Sequence, residues 1–93
     1  MTPQKEYEAE LKFLSAIAEQ SINNILLSKD RMSKHPPYSW KSEEVNQHLL
    51  KAARHINTYM QIAAGYQKDD EENHLNNAMC RLAMAMGIVY SGG

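Results

Sequence analysis

The chain has 93 residues, 43% of them hydrophobic, and a formal net charge of −1, which predicts one small domain with a thin core. This near balance of acids and bases argues against a general nucleic-acid-binding protein, which would be strongly basic. The single cysteine excludes an intrachain disulfide, and the chain shows neither a signal-like N-terminus nor an apolar run near the roughly 20 residues of a membrane helix, so we expect a cytoplasmic protein without a membrane partner.

The first predicted element is a long amphipathic helix over residues 3–28. Thr2 followed by Pro3 is a favourable helix start, because proline fits the first helical position. Apolar side chains then recur at helical spacing, at Tyr7, Leu11, Leu14, Ala18, Ile22 and Ile25.

Residues 29–41 are predicted to form a loop in which basic and aromatic side chains are interleaved. Pro36 and Pro37 forbid helix continuation. The basic and aromatic side chains of this loop are Lys29, Arg31, Lys34, His35, Tyr38, Trp40 and Lys41. Such a mixture suits the phosphates and base of a nucleotide. The alternative is an exposed loop whose Trp40 covers one end of a small core.

A second helix is predicted over residues 42–64. Ser42 can cap its N-terminus, and Glu43 with Glu44 complements the helix dipole. Gly65 is well placed to end it. The side chains expected to face the core are Val45, Leu49, Ala52, Ile56, Tyr59 or Met60, and Ala63.

A third helix is predicted over residues 70–90, with Asp69 and Glu72 in the relation of a capping box. Its apolar stripe comprises Leu75, Ala78, Met79, Leu82, Met86 and Val89. Cys80 lies in the interior of this helix and is expected to be a buried small hydrophobic residue. The sequence therefore predicts an all-α single domain over residues 1–93, a three-helix antiparallel arrangement whose uncovered apolar flanks are completed by self-association.

Polar residues also follow one side of the third helix. Asp70, His74, Asn77 and Arg81 recur at helical spacing. Carboxylates suit a hard cation and a guanidinium suits phosphate, so this strip favours a metal-bound phosphate compound. The alternative is a solvated helix face.

The second helix carries His48, Lys51 and His55 near the edge of its apolar face. The two histidines are two turns apart, about 10.5 Å along the axis, which is too far for an adjacent-turn chelating pair. A hydrogen-bonded structural role is the alternative for such a histidine. Arg54, on the next face, could pair with acids of the third helix or reach a phosphate.

Residues 40–85 resemble the N-terminal domain of phage dATP/dGTP diphosphohydrolases, an all-helical group. The shared features, in order, are Trp40, Ala53-Arg54-His55, Gly65, Asp69 with Glu71, His74-Leu75, and Ala78 with Cys80. The acid-to-histidine spacing is about two residues shorter here, and Asn76 or Asn77 replaces the usual second histidine. These departures bear on turnover more than on fold.

The resemblance implies Mg²⁺-dependent (or Mn²⁺-dependent) hydrolysis of a purine deoxynucleoside triphosphate to its monophosphate and pyrophosphate, or nucleotide binding with that activity lost. It assigns metal binding to Asp69, Asp70 and Glu71, and water orientation or proton transfer to His55 and His74. The residues expected to contact the substrate are Arg54, Arg81, Lys34, Trp40 and Asn77.

A second hypothesis is a non-catalytic helical interaction protein, such as a phage-encoded inhibitor of a host enzyme or defence system. Six methionines fit this class, because Met-rich helix surfaces adapt readily to partners. Such a protein would act in the host cytoplasm. Divalent metal would not be expected to raise its melting temperature, whereas it would raise that of a metal-binding protein.

Overall fold

The computed structural model describes residues 2–92, and within that range the chain is all-α, as predicted. The helices, in chain order, are α1 (Pro3–Leu26), α2 (Lys29–Lys34), a short 3-10 helix (Ser39–Ser42), α3 (Val45–Ala63) and α4 (His74–Tyr90). None of the helices in the described range is long and apolar enough to span a membrane.

The helix α4 lies between the other two long helices. It packs on α3 and on α1, whereas α1 and α3 do not approach each other within residues 2–92. His55 of α3 lies beside His74 at the start of α4, and His48, two turns earlier in α3, lies beside Arg81. The helices α3 and α4 therefore form the predicted antiparallel pair, and its seam carries the polar residues of interest.

The helix α1 begins as the sequence predicts. Thr2 accepts a hydrogen bond from the backbone N–H of Lys5, and Pro3 occupies the first turn. The helix ends at Leu26, two residues before the predicted end. The hydroxyl of Ser28 then accepts the backbone N–H of Arg31 and starts α2, so the prediction of a continuous loop from residue 29 was wrong.

Prolines end α2 for a simple steric reason. His35 directly precedes Pro36 and adopts extended backbone angles, φ −130° and ψ 116°, because the proline ring disfavours a helical residue before it. The predicted start of the next long helix at Ser42 was also wrong. Ser42 belongs to the 3-10 helix, and its hydroxyl donates to the carbonyl of Ser39.

The end of α3 agrees with the prediction that Gly65 stops the helix. Gly65 has a φ of +82°, its N–H donates to the carbonyl of Ile62, and the next N–H, from Tyr66, donates to Gln61. These two bonds define a Schellman cap, in which glycine tolerates the left-handed conformation at no steric cost.

The predicted capping box at Asp69 and Glu72 was wrong, and α4 starts at His74 instead of residue 70. Asp69 accepts the backbone N–H of Glu71 at 2.8 Å, and Asp70 accepts that of Glu72 at 3.1 Å. These local turns compete with helix formation. Asn73 is the actual cap and accepts the N–H of Asn76.

The buried side chains of the α3–α4 seam are small or polar. Ala52, Ala78 and Ala85 are buried together with His48 and His74. Small residues let the helix axes approach closely. Apart from Ala52, the prediction that α3 buries its apolar face was wrong. The face that carries His48 and His55 is the one turned toward α4.

Apolar residues on the outer faces of the long helices stay uncovered. Leu49 and Ile56 of α3 are 41% and 39% exposed. On α1, Tyr7 and Leu11 are 71% and 64% exposed, and no residue of that helix is buried. Most of the predicted stripe of α4 is likewise exposed, the buried member being Ala78.

Trp40 packs against α4 at Gly87. A Cβ atom placed on Gly87 would lie 3.0 Å from the nearest indole carbon, so the absence of a side chain permits this contact. The ring holds the 3-10 helix against α4, and this position in turn brings the carbonyl of Trp40 to His48.

We expect Gly87→Leu to destabilise the fold by about 1–3 kcal/mol, because its side chain would displace the indole ring. Gly87→Ala is the graded control, in which the better helix propensity of alanine, worth about 1 kcal/mol, offsets a contact that is only slightly too close. Urea titration followed by fluorescence of Trp40, the single tryptophan, measures both. Equal stability of the leucine variant and the wild type would contradict the packing role.

Candidate metal centre and its neighbouring ion network

His55, Glu72 and His74 converge where α3 meets the start of α4. One ligand atom from each lies within 4.8 Å of the other two. The Nδ1 atoms of His55 and His74 are 2.9 Å apart, and a carboxylate oxygen of Glu72 lies 3.9 Å from Nδ1 of His55. Two imidazole nitrogens and one carboxylate oxygen form a donor set that binds divalent transition metals.

Asp70 holds the second nitrogen of His74. Both carboxylate oxygens lie 2.9 Å from Nε2, and because a carboxylate only accepts, Nε2 carries a proton. In the neutral form of His74, Nδ1 has a lone pair and can accept a hydrogen bond from Nδ1–H of His55, 2.9 Å away. A carboxylate on the outer nitrogen of a metal-binding histidine is the usual arrangement for orienting such a ligand.

The protonation of the cluster favours metal binding. Partial burial lowers the pKa of His55, an effect that the carboxylate of Glu72 opposes and the positive charge of Arg54 reinforces. His55 is therefore neutral at pH 7, the state that a metal requires. The backbone N–H of Glu72, followed by His74, lowers the pKa of Asp70, which keeps the orienting carboxylate ionised.

Asn77 has a positioning contact within the cluster. Its side-chain amide donates to the carbonyl of Asn73 at 3.0 Å and to a carboxylate oxygen of Glu72 at 3.4 Å. This places the amide on the carboxylate that faces His55. The predicted role of Asn77 in substrate contact stays a prediction.

A second polar cluster lies about two turns further along the seam, around His48. This histidine is 0% exposed. Its Nε2 donates to the carbonyl of Trp40 at 2.8 Å, and its Nδ1 accepts from Arg81 at 3.1 Å. Both ring nitrogens are satisfied, which is the structural role that the sequence offered as the alternative for a helix-edge histidine.

Glu43 completes this ion network. One of its oxygens pairs with the ammonium of Lys51, and the other accepts from Arg81 at 2.8 Å. The hydrogen bond from Lys51, reinforced by the charge of Arg81, lowers the pKa of the Glu43 carboxyl. The carboxylate thus bridges two cations next to the buried His48.

The structure places the predicted site residues in three groups. His55, His74 and Asp70 come together at the candidate metal cluster, with Asn77 beside Glu72. Arg81 belongs to the ion network instead, next to the segment that carries Trp40. These five residues lie along the seam between α3 and α4, and their predicted roles stay predictions.

The other predicted residues lie outside both clusters. Lys34 forms an exposed pair with Asp30, 2.9 Å apart. Arg54 is exposed on α3. Asp69 and Glu71 are exposed in the loop before α4 and are not members of the group of three ligands; their predicted role in metal binding stays a prediction.

The sequence did not indicate Glu72 as a candidate ligand, and it did not indicate the ion network of Glu43, His48 and Lys51. Glu72 was assigned to a capping box. A usable signal was the seven-residue spacing of His48 and His55, which places both on one helix face. That spacing, with Lys51 and Ala52 between them, is the pattern of an inward-facing seam.

Cys80 lies outside both clusters. It is buried on α4, and burial raises the pKa of its thiol. This agrees with the predicted role as a small hydrophobic residue.

Comparison of the chain with protein-family models, with curated proteins and with solved structures finds no match.

Proposed function

We propose that the chain is a metal-dependent hydrolase that converts purine deoxynucleoside triphosphates to monophosphate and pyrophosphate in the cytoplasm, the host cytoplasm if it is phage-encoded. The observation that carries the proposal is the convergence of His55, Glu72 and His74, with Asp70 orienting His74. The substrate class comes from the resemblance of residues 40–85 to phage dATP/dGTP diphosphohydrolases.

The donor set bears on the choice between Mg²⁺ and Mn²⁺. Mg²⁺ prefers oxygen ligands in a strict octahedron, whereas imidazole nitrogens suit transition metals. Two of the three ligands are imidazoles, so the geometry favours Mn²⁺. The resemblance also assigns metal binding to Asp69 and Glu71, which are exposed in the loop before α4.

A bound divalent ion would polarise a phosphoryl group and lower the pKa of an attacking water. Residues of the chain are placed to hold such an ion and its substrate. His55 would bind through the tautomer that carries its proton on Nε2, which leaves a lone pair on Nδ1. Asp70 holds the Nε2–H of His74, so that the Nδ1 of His74 carries no proton in the neutral ring. Arg54, exposed one residue before His55, is available to neutralise charge on the phosphates.

The alternative function, a non-catalytic interaction protein, is supported by a different observation. Four apolar residues of α1 are each more than half exposed within residues 2–92, namely Tyr7, Leu11, Phe13 and Leu14. Exposed apolar faces mark protein contacts. Either a second copy of the chain or a host protein could cover them, and a homo-oligomer is compatible with the enzymatic proposal.

The proposed function is tested by incubating the pure protein with each common nucleoside and deoxynucleoside triphosphate and either Mn²⁺ or Mg²⁺, with separation of the products. We expect purine deoxynucleoside triphosphates to yield monophosphate and pyrophosphate, faster with Mn²⁺. Intact substrates across the panel would contradict hydrolysis and favour the interaction protein.

Asp70→Asn is expected to weaken metal binding roughly 10–100-fold, the usual effect of removing a carboxylate that orients a metal-binding histidine. Calorimetric titration with Mn²⁺ measures it. Asp30→Asn is the matched comparison, because it makes the same change at an exposed carboxylate outside the cluster. An equal loss of affinity in both variants would contradict the orienting function of Asp70.

A further inference from the structure

A concave pocket opens between α2, the 3-10 helix and the α3–α4 pair, with a volume of about 200 Å³. Three permanent cations line it, Arg31, Lys51 and Arg81, together with one carboxylate, Glu43. Because a water molecule takes up roughly 30 Å³, the pocket has room for a phosphate group and several waters.

The charges of this pocket are not balanced. Glu43 is fully engaged, since its two oxygens pair with Lys51 and Arg81. Arg31 is half-buried and forms no ion pair with any residue in the range 2–92. One carboxylate against three cations leaves an excess of two positive charges, and a bound anion would recover the free energy lost in burying an unpaired guanidinium.

An apolar groove adjoins the basic pocket. Its volume is about 570 Å³, and its apolar lining is Leu26, Leu27, Met32, Pro36, Pro37 and Tyr38. Arg31, His35 and Trp40 line both the groove and the pocket. A ligand that fills both must therefore join an anionic end to a flat apolar end, and Trp40 stands at the junction, where it can stack on a ring.

We propose that the pocket and groove together bind a nucleotide, with its phosphates against Arg31, Lys51 and Arg81 and its base in the groove beside Trp40. Two guanidinium forks and an ammonium match the several oxygens of phosphate better than a single carboxylate. The choice of a nucleotide rests on the proposed function. The site is separate from the metal-binding cluster, because Arg81 lies seven residues, about 10.5 Å along the helix axis, from His74.

The test is a titration of the metal-free protein, in excess chelator and at constant ionic strength, with dATP, dGTP, pyrophosphate and deoxyguanosine. Trp40 fluorescence and calorimetry both report binding. We expect the deoxynucleotides to bind more tightly than pyrophosphate, and the nucleoside to bind weakest. If pyrophosphate bound as tightly as the nucleotides, the role of the groove would be overturned. If deoxyguanosine bound as tightly as the nucleotides, the role of the cations would be overturned. If none of the four compounds bound, the whole site would be overturned.

Variants separate the two halves of the site. Arg31→Gln is expected to weaken the binding of both dGTP and pyrophosphate roughly tenfold or more, because a hydrogen bond between charged groups is lost. Met32→Ala is expected to weaken the binding of dGTP and to leave the binding of pyrophosphate unchanged. Lys29→Gln removes the same charge from the same helix at a position outside the pocket, and an equal loss there would overturn specific binding. Circular dichroism confirms that each variant is folded.

Because this titration contains no metal, its outcome is independent of hydrolysis. Turnover without metal-free nucleotide binding would overturn this inference and leave the proposed function standing. Tight metal-free binding without turnover would support the nucleotide site and contradict the hydrolase.

Discussion

His74→Gln is expected to abolish the stabilisation of this protein by divalent metal and, with it, metal-dependent turnover. His74 supplies one of the three converging ligand atoms and is almost fully buried at that position. An amide is a far weaker ligand than imidazole and cannot be held by Asp70 in the same way. Since loss of an orienting carboxylate alone costs roughly 10–100-fold in metal affinity, we expect loss of the ligand itself to cost about 100-fold or more.

The melting temperature with and without Mn²⁺ measures this effect. A metal at 100 times its dissociation constant stabilises the wild type by about 2.7 kcal/mol, and the variant at the same concentration should gain little. His35→Gln is the matched control, because it removes a histidine that lies outside the cluster. A metal response in His74→Gln equal to that of the wild type would rule out His74 as a ligand.

His48→Ala is expected to be the most destabilising single truncation in the α3–α4 seam, by about 3–5 kcal/mol. The substitution leaves a cavity at a fully buried position. It also removes the hydrogen bond to the carbonyl of Trp40 and one hydrogen bond of the Arg81 guanidinium, which keeps its bond to Glu43. A buried polar group left without its partner costs about 1–3 kcal/mol.

Chemical denaturation followed by circular dichroism at 222 nm, the far-ultraviolet helix signal, tests the role of His48. Gln47→Ala is the control, since it truncates the neighbouring exposed residue of the same helix and should change the free energy of unfolding by less than about 0.5 kcal/mol. A loss below about 1 kcal/mol in His48→Ala would contradict the view that this histidine ties the 3-10 helix to α3 and α4.

Local signals predicted the helix ends that depend on a single residue. Thr2 with Pro3 starts α1, and Gly65 ends α3. Each works through a local property of one residue: Thr2 caps with its side chain, Pro3 has a fixed φ, and Gly65 tolerates a left-handed conformation. The prediction failed at Asp69 and Asp70, where two kinds of local hydrogen bond compete, and the side chains close tight turns in place of a helix cap.

Hydrophobic periodicity predicted the long helices but misassigned the face of α3. Leu49 and Ile56 have the spacing of a buried stripe, yet they are exposed, while His48 and His55 face α4. Periodicity identifies an apolar face without saying what covers it. The energy of the polar seam comes from hydrogen bonds and ion pairs between residues distant in sequence, such as Arg81 with Glu43, and these pairs are not readable from one helix at a time.

The sequence predicts only part of the candidate site, because some of its residues are brought together from distant positions in the chain. Asp70, His74 and Asn77 are near one another in sequence and were recognised as one polar strip. His55 joins them only through the antiparallel packing of α3 on α4. The sequence predicts Glu72 as part of a capping box, because a carboxylate just before a helix is explained by capping alone. Its position opposite His55 depends on the fold of the loop over residues 64–73.

An NMR titration that follows the imidazole nitrogens tests the metal centre most directly. The protein labelled with ¹⁵N is titrated with Zn²⁺, a diamagnetic ion that accepts the same donor set, and the four histidines are followed by NMR. We predict that the Nδ1 resonances of His55 and His74 shift together, that Nε2 of His74 keeps its proton, and that the resonances of His48 stay in place. Unchanged Nδ1 resonances of His55 and His74 at saturating Zn²⁺ would contradict the proposed metal centre.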